Sequence, residues 1–238
     1  MVSKVQSGTL TSSLLLGTAS LITDDLVALE RHYDALVREH GYSPSAVHFS
    51  SWATIEKRFE ILMQGFPDFK HLRILDLGCG VGHLFAFLTK CGFAGEYVGY
   101  DISSGMVDLA RSRYPSARFE QRDLLSNPPG GDVFDMAVVS GIFNNLVSDN
   151  ESLIRRVLAV LFGSVRQGVA FNALSHFVQY RDAGLYYHDP VKIFEFCKTE
   201  LSPRVVLRHD YEIKPGVIPF EFTMYLYKAD YSPVKALT

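Results

Sequence analysis

Cysteine is scarce in this chain. Cys79, Cys91 and Cys197 are the only three among 238 residues, and no two form a CxxC pair. An odd, dispersed set excludes a disulfide framework and suits a reducing compartment, so the cytoplasm is the expected location. The eight histidines include no HExxH or HxxxH pair, so the sequence indicates no metal site. A basic surplus is also lacking: Lys and Arg number 23 against 26 Asp and Glu, a net charge of −3 at pH 7. Nucleic-acid partners call for clustered Lys and Arg, so none is expected. Long apolar runs are missing as well. Leu14-Leu15-Leu16 and Leu21-Ile22 are separated by Gly17, Thr18 and Ser20, well short of the ~20 apolar residues that span a bilayer. No membrane partner is expected, and the segment before residue 22 reads as a flexible or docking tail.

What the chain does have is hydrophobic residues, 47% of the total, enough for one large α/β domain with an added segment. Two helical patterns come first. Thr23-Asp24-Asp25 reads as an N-cap with early negative charge, followed by Leu26, Leu29, Tyr33, Leu36 and Val37 on one face and Gly41 as a stop. Ser50-Ser51 then precede Trp52, Ile55, Phe59, Leu62 and Met63 at helical spacing, closed by Gly65. From Arg73 the pattern changes to short apolar strands at 74–77, 97–100, 118–121, 136–140, 169–173, 205–208 and 222–227. Helices separate most of them. Ser103 caps one, Ser148 with Glu151 forms a capping box for another, and Asp189-Pro190 opens a third. Alternating apolar strands and helices imply a doubly wound, mostly parallel sheet of seven strands, the Rossmann-like arrangement. The last two strands lack an intervening helix, so they are expected as an antiparallel pair at the sheet edge. The domain reading is a tail and helical cover over 1–70 and a ligand-binding domain over 71–238.

The strongest motif is Ile74-Leu75-Asp76-Leu77-Gly78-Cys79-Gly80-Val81-Gly82-His83. It is a strand, a glycine turn and the start of a helix. Glycines let the backbone approach a ligand, and the helix N-terminus offers unpaired N–H groups at the carboxyl edge of the sheet. Asp101 ends the next strand, where a carboxylate can accept both ribose hydroxyls of an adenosine. The spacing is GxGxG rather than the GxGxxG of nicotinamide dinucleotide sites, and Asp76 before it would repel a pyrophosphate and suit a cationic ligand end.

This run resembles motif I of the class I S-adenosylmethionine-dependent methyltransferase superfamily. Tyr97 to Ser103 resembles the acidic ribose-binding strand of that family, and Arg118 to Leu124 its third element, whose Asp123 would meet the adenine amino group. Phe134 to Gly141 resembles the fourth strand, which faces the methionine part of the cofactor and the reacting centre. Within this fold the chain also resembles a bacterial group sharing Ser-Gly-Ile-Phe-Asn at 140–144 and Leu-Tyr-Tyr-x-Asp-Pro at 185–190. The resemblance implies S-adenosyl-L-methionine as cofactor. The binding residues expected there are Asp76, Gly78, Gly80, Asp101, Ile102, Met106, Asp123, Leu124 and Ser140, and Arg58 of the second helix, in a segment expected to cover the cleft, is added as a partner for a carboxylate. Cys79 reads as a small backbone-contact residue and His83 as a helix-face residue near the site.

Methyl transfer needs mainly alignment and exclusion of water. The residues expected to supply it follow the fourth and fifth strands. Phe143 is expected beside the sulfonium, since a ring face attracts a cation. Asn144 and Tyr180 are expected to hold the acceptor, with Tyr186, Tyr187 and His176 as neighbours. Asn127-Pro128-Pro129 resembles the NPPY motif of nucleic-acid amino-methyltransferases but precedes the fourth strand instead of following it, so it argues for no such activity. Three readings remain: a methyltransferase acting on a small-molecule acceptor, a cyclase resembling azetidine-2-carboxylate synthases that releases methylthioadenosine, and a non-catalytic binding module, which the intact motif disfavours.

Overall fold

The computed structural model describes residues 10–47, 51–130, 133–231 and 233, with side chains from residue 24 onward. Residues 1–9 of the expected tail lie outside the described residues. Seven strands form one sheet in the order β3-β2-β1-β4-β5-β7-β6. They are β1 (Arg73–Leu77), β2 (Glu96–Asp101), β3 (Arg118–Gln121), β4 (Phe134–Val139), β5 (Val165–Leu174), β6 (Arg204–Arg208) and β7 (Glu221–Tyr227). The first five are mutually parallel. β7 runs antiparallel to both β5 and β6, so the expected antiparallel pair stands at the edge with β7 inserted inside β6. One consequence matters for the site: β6 points the same way as β5, so the loop leaving it opens at the same carboxyl edge.

Side chains alternate across the sheet, as a strand's period of two requires. Leu75 and Leu77 pack with Leu153, Ile154, Val157 and Leu158 of α5 (Asn150–Gly163), on the face shared with α6 (Pro190–Phe196). Ile74 faces the other way, toward α2 (Trp52–Gln64), α3 (His83–Lys90) and α4 (Ser104–Arg113). Several caps match the sequence reading. Ser51 caps α2, the Ser103 hydroxyl accepts from Met106 N–H (3.1 Å), and Asp189 accepts from Val191 N–H with Pro190 in the first turn. Gly41 ends α1 with φ +57°.

Two helix starts differ from expectation. α1 runs Leu10–His40, so Thr23 is not an N-cap and Asp24-Asp25 lie in mid-helix. A cap residue acts only where the preceding chain leaves the helix, and the Leu- and Ala-containing segment 10–22 holds helical propensity despite Gly17. The cap of α5 is Asp149, which accepts from Ser152 N–H (2.9 Å). Ser148 instead donates its N–H to Asp25 Oδ2 (2.7 Å) of α1.

That contact is one of several that strap α1 across the carboxyl edge. Glu30 accepts from the Gln121 amide (3.0 Å). Asp34 Oδ1 accepts from the Ser103 hydroxyl (2.6 Å) and Gly105 N–H (3.1 Å). Tyr33 donates to Asn145 Oδ1 (3.0 Å). These bonds bring the polar face of α1 to β3, α4 and the loop before α5, spanning the cleft.

Candidate active site

A cavity of about 500 Å³ lies beneath α1 at the carboxyl edge. Its floor is the glycine turn. Gly78 has φ +77°, and a Cβ there would sit 2.1 Å from Ile142 Cγ2, so any side chain would be both strained and blocked. Gly78 and Cys79 donate their N–H groups to the Tyr100 carbonyl, which ties the turn to β2. Asp101, at the end of β2, is buried and holds two loops together. Gly80 N–H donates to its Oδ2 (2.8 Å) and Ser103 N–H to its Oδ1 (2.9 Å). Burial pushes the Asp101 carboxyl up, and these backbone N–H groups pull it back. A carboxylate has about four lone-pair sites, so each oxygen still has room to accept a hydroxyl of a vicinal diol.

Beside Asp101 the wall is formed by Ile102, Met106, Leu124 and Leu125, with Asp123 among them. The Asp123 Oδ1 accepts from Leu125 N–H (2.9 Å). This end is an apolar slot with two carboxylates, suited to a planar heterocycle carrying amino and hydroxyl donors. Ser140, Gly141 and Ile142 follow β4 onto the wall. Asn172 supports that turn, accepting from Gly141 N–H (2.9 Å). Nine of the ten expected cofactor residues thus converge: Arg58, Gly78, Gly80, Asp101, Ile102, Met106, Asp123, Leu124 and Ser140.

Asp76 is the exception. It is buried off the cavity wall, and its carboxyl takes the Tyr97 hydroxyl on the α2–α3 side of the sheet. The alternation that puts Leu75 and Leu77 on one face puts Asp76 on the other, where its carboxyl is taken up by Tyr97 instead of lining the cavity. Burial raises the Asp76 carboxyl to about 7, the Tyr97 bond opposes the rise, and Asp101 adds to it. Folded protein therefore holds a proton that the unfolded chain releases above about 4. This group's contribution is most favourable below about 4, declines as pH rises to about 7, and is flat above. Asp76→Asn should accordingly raise Tm at pH 8, by ~2–4 °C per kcal/mol recovered, and give no gain at pH 4. A gain of equal size at both pH values would refute the assignment.

Arg58 of α2 reaches the wall but already has an internal partner. Its Nε donates to Glu221 Oε2 (2.8 Å) and its Nη1 to the Thr54 carbonyl (2.9 Å). Arg58 is 7% exposed and Glu221 3%. Burial raises the Glu221 carboxyl, and the Arg58 charge pulls it back.

The expected acceptor residues fare less well. Tyr180 is 79% exposed and off the wall. The segment after β5 turns outward there, and the cavity is met by Leu174 at the end of β5 and by Leu185. Phe143 is buried and packs edge-on against Phe171 and His188, so it is a core ring and not a cation contact. Asn144 does line the cavity, but its Oδ1 accepts from Leu174 N–H (2.9 Å), which makes it a brace between β4 and β5. Tyr187 accepts from Asp182 N–H, and His176 lies 3.9 Å from Asp189, both away from the wall. Burial pushes the Cys79 thiol well above its usual range, which fits a backbone-contact role. His83 is buried, stacked on Trp52 (4.0 Å) and bonded to the Tyr42 hydroxyl.

Asn145 and Leu185, from the segments expected to face the acceptor, complete the far end together with two residues not foreseen, Lys214 and Phe220. Lys214 and Phe220 hang from the loop after β6. The signal that could have found them is directional. A strand two places from β5 across an antiparallel neighbour must point as β5 does, and its exit loop must meet the same edge. Among the described residues, no group of three or more His, Cys, Asp or Glu converges to hold a metal ion, and no helix is long and apolar enough to cross a membrane.

Comparison with known proteins agrees with this geometry. A family profile described as a methyltransferase domain matches residues 74–162. A putative methyltransferase of Mycobacterium tuberculosis is 36% identical over 168 residues, covering 66% of this chain and 93% of that protein. The trans-aconitate 2-methyltransferase of Variovorax paradoxus is 36% identical over 89 residues, 37% of this chain and 34% of that enzyme. Among solved structures, a magnesium protoporphyrin IX methyltransferase from Synechocystis PCC 6803 with bound SAM superposes with TM-score 0.60. It is 13% identical, and the match covers 86% of this chain and 97% of that one; this likeness speaks for the fold alone.

Proposed function

The chain belongs to the class I S-adenosylmethionine-dependent methyltransferase superfamily, and from that premise we propose that it methylates a small-molecule acceptor. The observation that carries the reading is the single continuous cavity, adenosine-suited at one end and covered by Leu26, Leu29 and Tyr33 of α1. In this reading Asp101 receives the ribose hydroxyls, Asp123 the adenine amino group, and the slot of Ile102, Met106 and Leu124 the ring. The glycine turn lies under the ribose and methionine, and Arg58 receives the cofactor's carboxylate. S-adenosylmethionine supplies an already activated methyl group. The protein's part is alignment and desolvation. A roof strapped on by Asp25, Glu30, Tyr33 and Asp34 favours an acceptor small enough to sit under it.

A thermal-shift comparison tests the cofactor half. S-adenosylhomocysteine should raise Tm by several degrees at a concentration about 100 times Kd, equivalent to ~2.7 kcal/mol, and NAD should leave it unchanged. Stabilisation by NAD alone would refute the reading. Mass spectrometry of the product tests the reaction half. S-adenosylhomocysteine marks methyl transfer, whereas methylthioadenosine would mark a cyclase.

A further inference from the structure

Methyl acceptors differ in what they need from a site. An amine or phenol with an ordinary pKa near 10 is protonated at neutral pH and must lose a proton to react; a carboxylate, with a pKa near 4, does not. The cavity wall is poor in groups that could take such a proton. Among the described residues it carries no histidine, cysteine or glutamate. Of its two carboxylates, Asp101 ends β2 and Asp123 follows β3, both on the adenosine side of the sheet. Tyr33 donates to Asn145, and burial raises its hydroxyl further from ionisation.

The opposite end lies over β5, β7 and β6 and has a different character. Leu174, Leu185 and Phe220 form an apolar wall there, and Lys214 stands at its rim with no ion pair among the described residues. Arg58, over the Phe220 ring at 5.9 Å, is paired with Glu221 and is the cation assigned above to the cofactor's carboxylate. The uncompensated charge at this end is therefore the Lys214 ammonium, beside an apolar surface and across from no wall carboxylate.

We propose that the acceptor is a carboxylic acid with an apolar body, bound through Lys214 and methylated on a carboxylate oxygen to give a methyl ester. The proposal rests on the methyl-transfer reading above. An acceptor oxygen lone pair forms the new O–C bond as the methyl carbon's bond to sulfur breaks, and the bonding pair stays on sulfur. A carboxylate and a sulfonium become a neutral ester and a neutral thioether, and no proton is released, so no base is required. Opposite charges vanish along this path, which a water-poor cavity favours. Lys214 holds the charged acid before reaction more strongly than the neutralising transition state, so it is a binding residue and should govern KM rather than kcat.

The test is calorimetric titration of the S-adenosylhomocysteine-loaded protein with octanoate, benzoate and trans-aconitate, and with octylamine, octanol and benzyl alcohol as neutral or cationic counterparts. At least one acid should bind about tenfold or more tighter than its counterparts, and Lys214→Gln should weaken that acid by about tenfold while S-adenosylhomocysteine affinity stays within about twofold. Incubation of that acid with S-adenosylmethionine should yield S-adenosylhomocysteine and an ester that mild alkali returns to the acid. Equal or better binding of the amine or alcohols, an alkali-stable methyl product, or indifference of acid binding to Lys214→Gln would overturn the carboxylate class while leaving methyl transfer standing. Failure to bind S-adenosylhomocysteine, or release of methylthioadenosine, would remove the underlying reading and this proposal with it.

Discussion

Asp101→Ala should weaken S-adenosylhomocysteine binding by about 30- to 150-fold in calorimetry. The figure follows from a charged pair of hydrogen bonds to a ribose, worth ~2–3 kcal/mol. The structure adds a second consequence. The same carboxylate accepts Gly80 N–H and Ser103 N–H, so its removal leaves two buried donors unpaired and should cost a further ~1–3 kcal/mol of stability. The two effects can be separated with Asp101→Asn. An amide keeps one acceptor oxygen for a backbone N–H but cannot receive both hydroxyls, so it should recover part of the stability and little of the affinity. Full affinity in Asp101→Asn would contradict the ribose assignment.

Arg58→Met should lower stability by ~3–5 kcal/mol, because it leaves Glu221 buried beside no cation. Glu221 is 3% exposed, its other near contact being the Tyr211 hydroxyl at 3.5 Å. Pairing the change with Glu221→Leu removes the orphaned charge and should restore most of the lost stability, since apolar replacements of buried ion pairs are often neutral. Cofactor affinity provides the second readout. If Arg58 receives the ligand carboxylate, the restored double variant should still bind S-adenosylhomocysteine at least ~10-fold more weakly, about 1.4 kcal/mol. A double variant that is stable and binds normally would make Arg58 a structural residue only.

The adenosine end of the cavity was legible because it is local. A strand, a glycine turn and an acid at the next strand's end are short-range patterns, and the sheet's parallel register carries Asp101 and Asp123 to one edge without further instruction. Arg58 was legible as a cleft residue from its helix, but its partner Glu221 lies 163 positions away, and nothing in spacing links them. Asp76 shows the limit from the other direction. Its place in the motif suggested a ligand contact, yet strand alternation sends its carboxyl to Tyr97, behind the sheet.

The acceptor end depended on tertiary geometry throughout. Phe143, Asn144 and Tyr180 share a plausible distance from the reacting centre along the chain, but burial, a brace to Leu174 and outward exposure separate them. Lys214 and Phe220 reach the cavity because β7 inserts between β5 and β6, which turns the loop after β6 to the same edge. By itself the sequence determined the sheet and the cofactor turn, since these follow from periodicity, glycine stereochemistry and residues close together in the chain, and it carried the resemblance that pointed to the family. Only the tertiary structure decided which side chains face the acceptor, because that depends on long-range strand order and on a first helix whose polar bonds close the cleft from across the molecule.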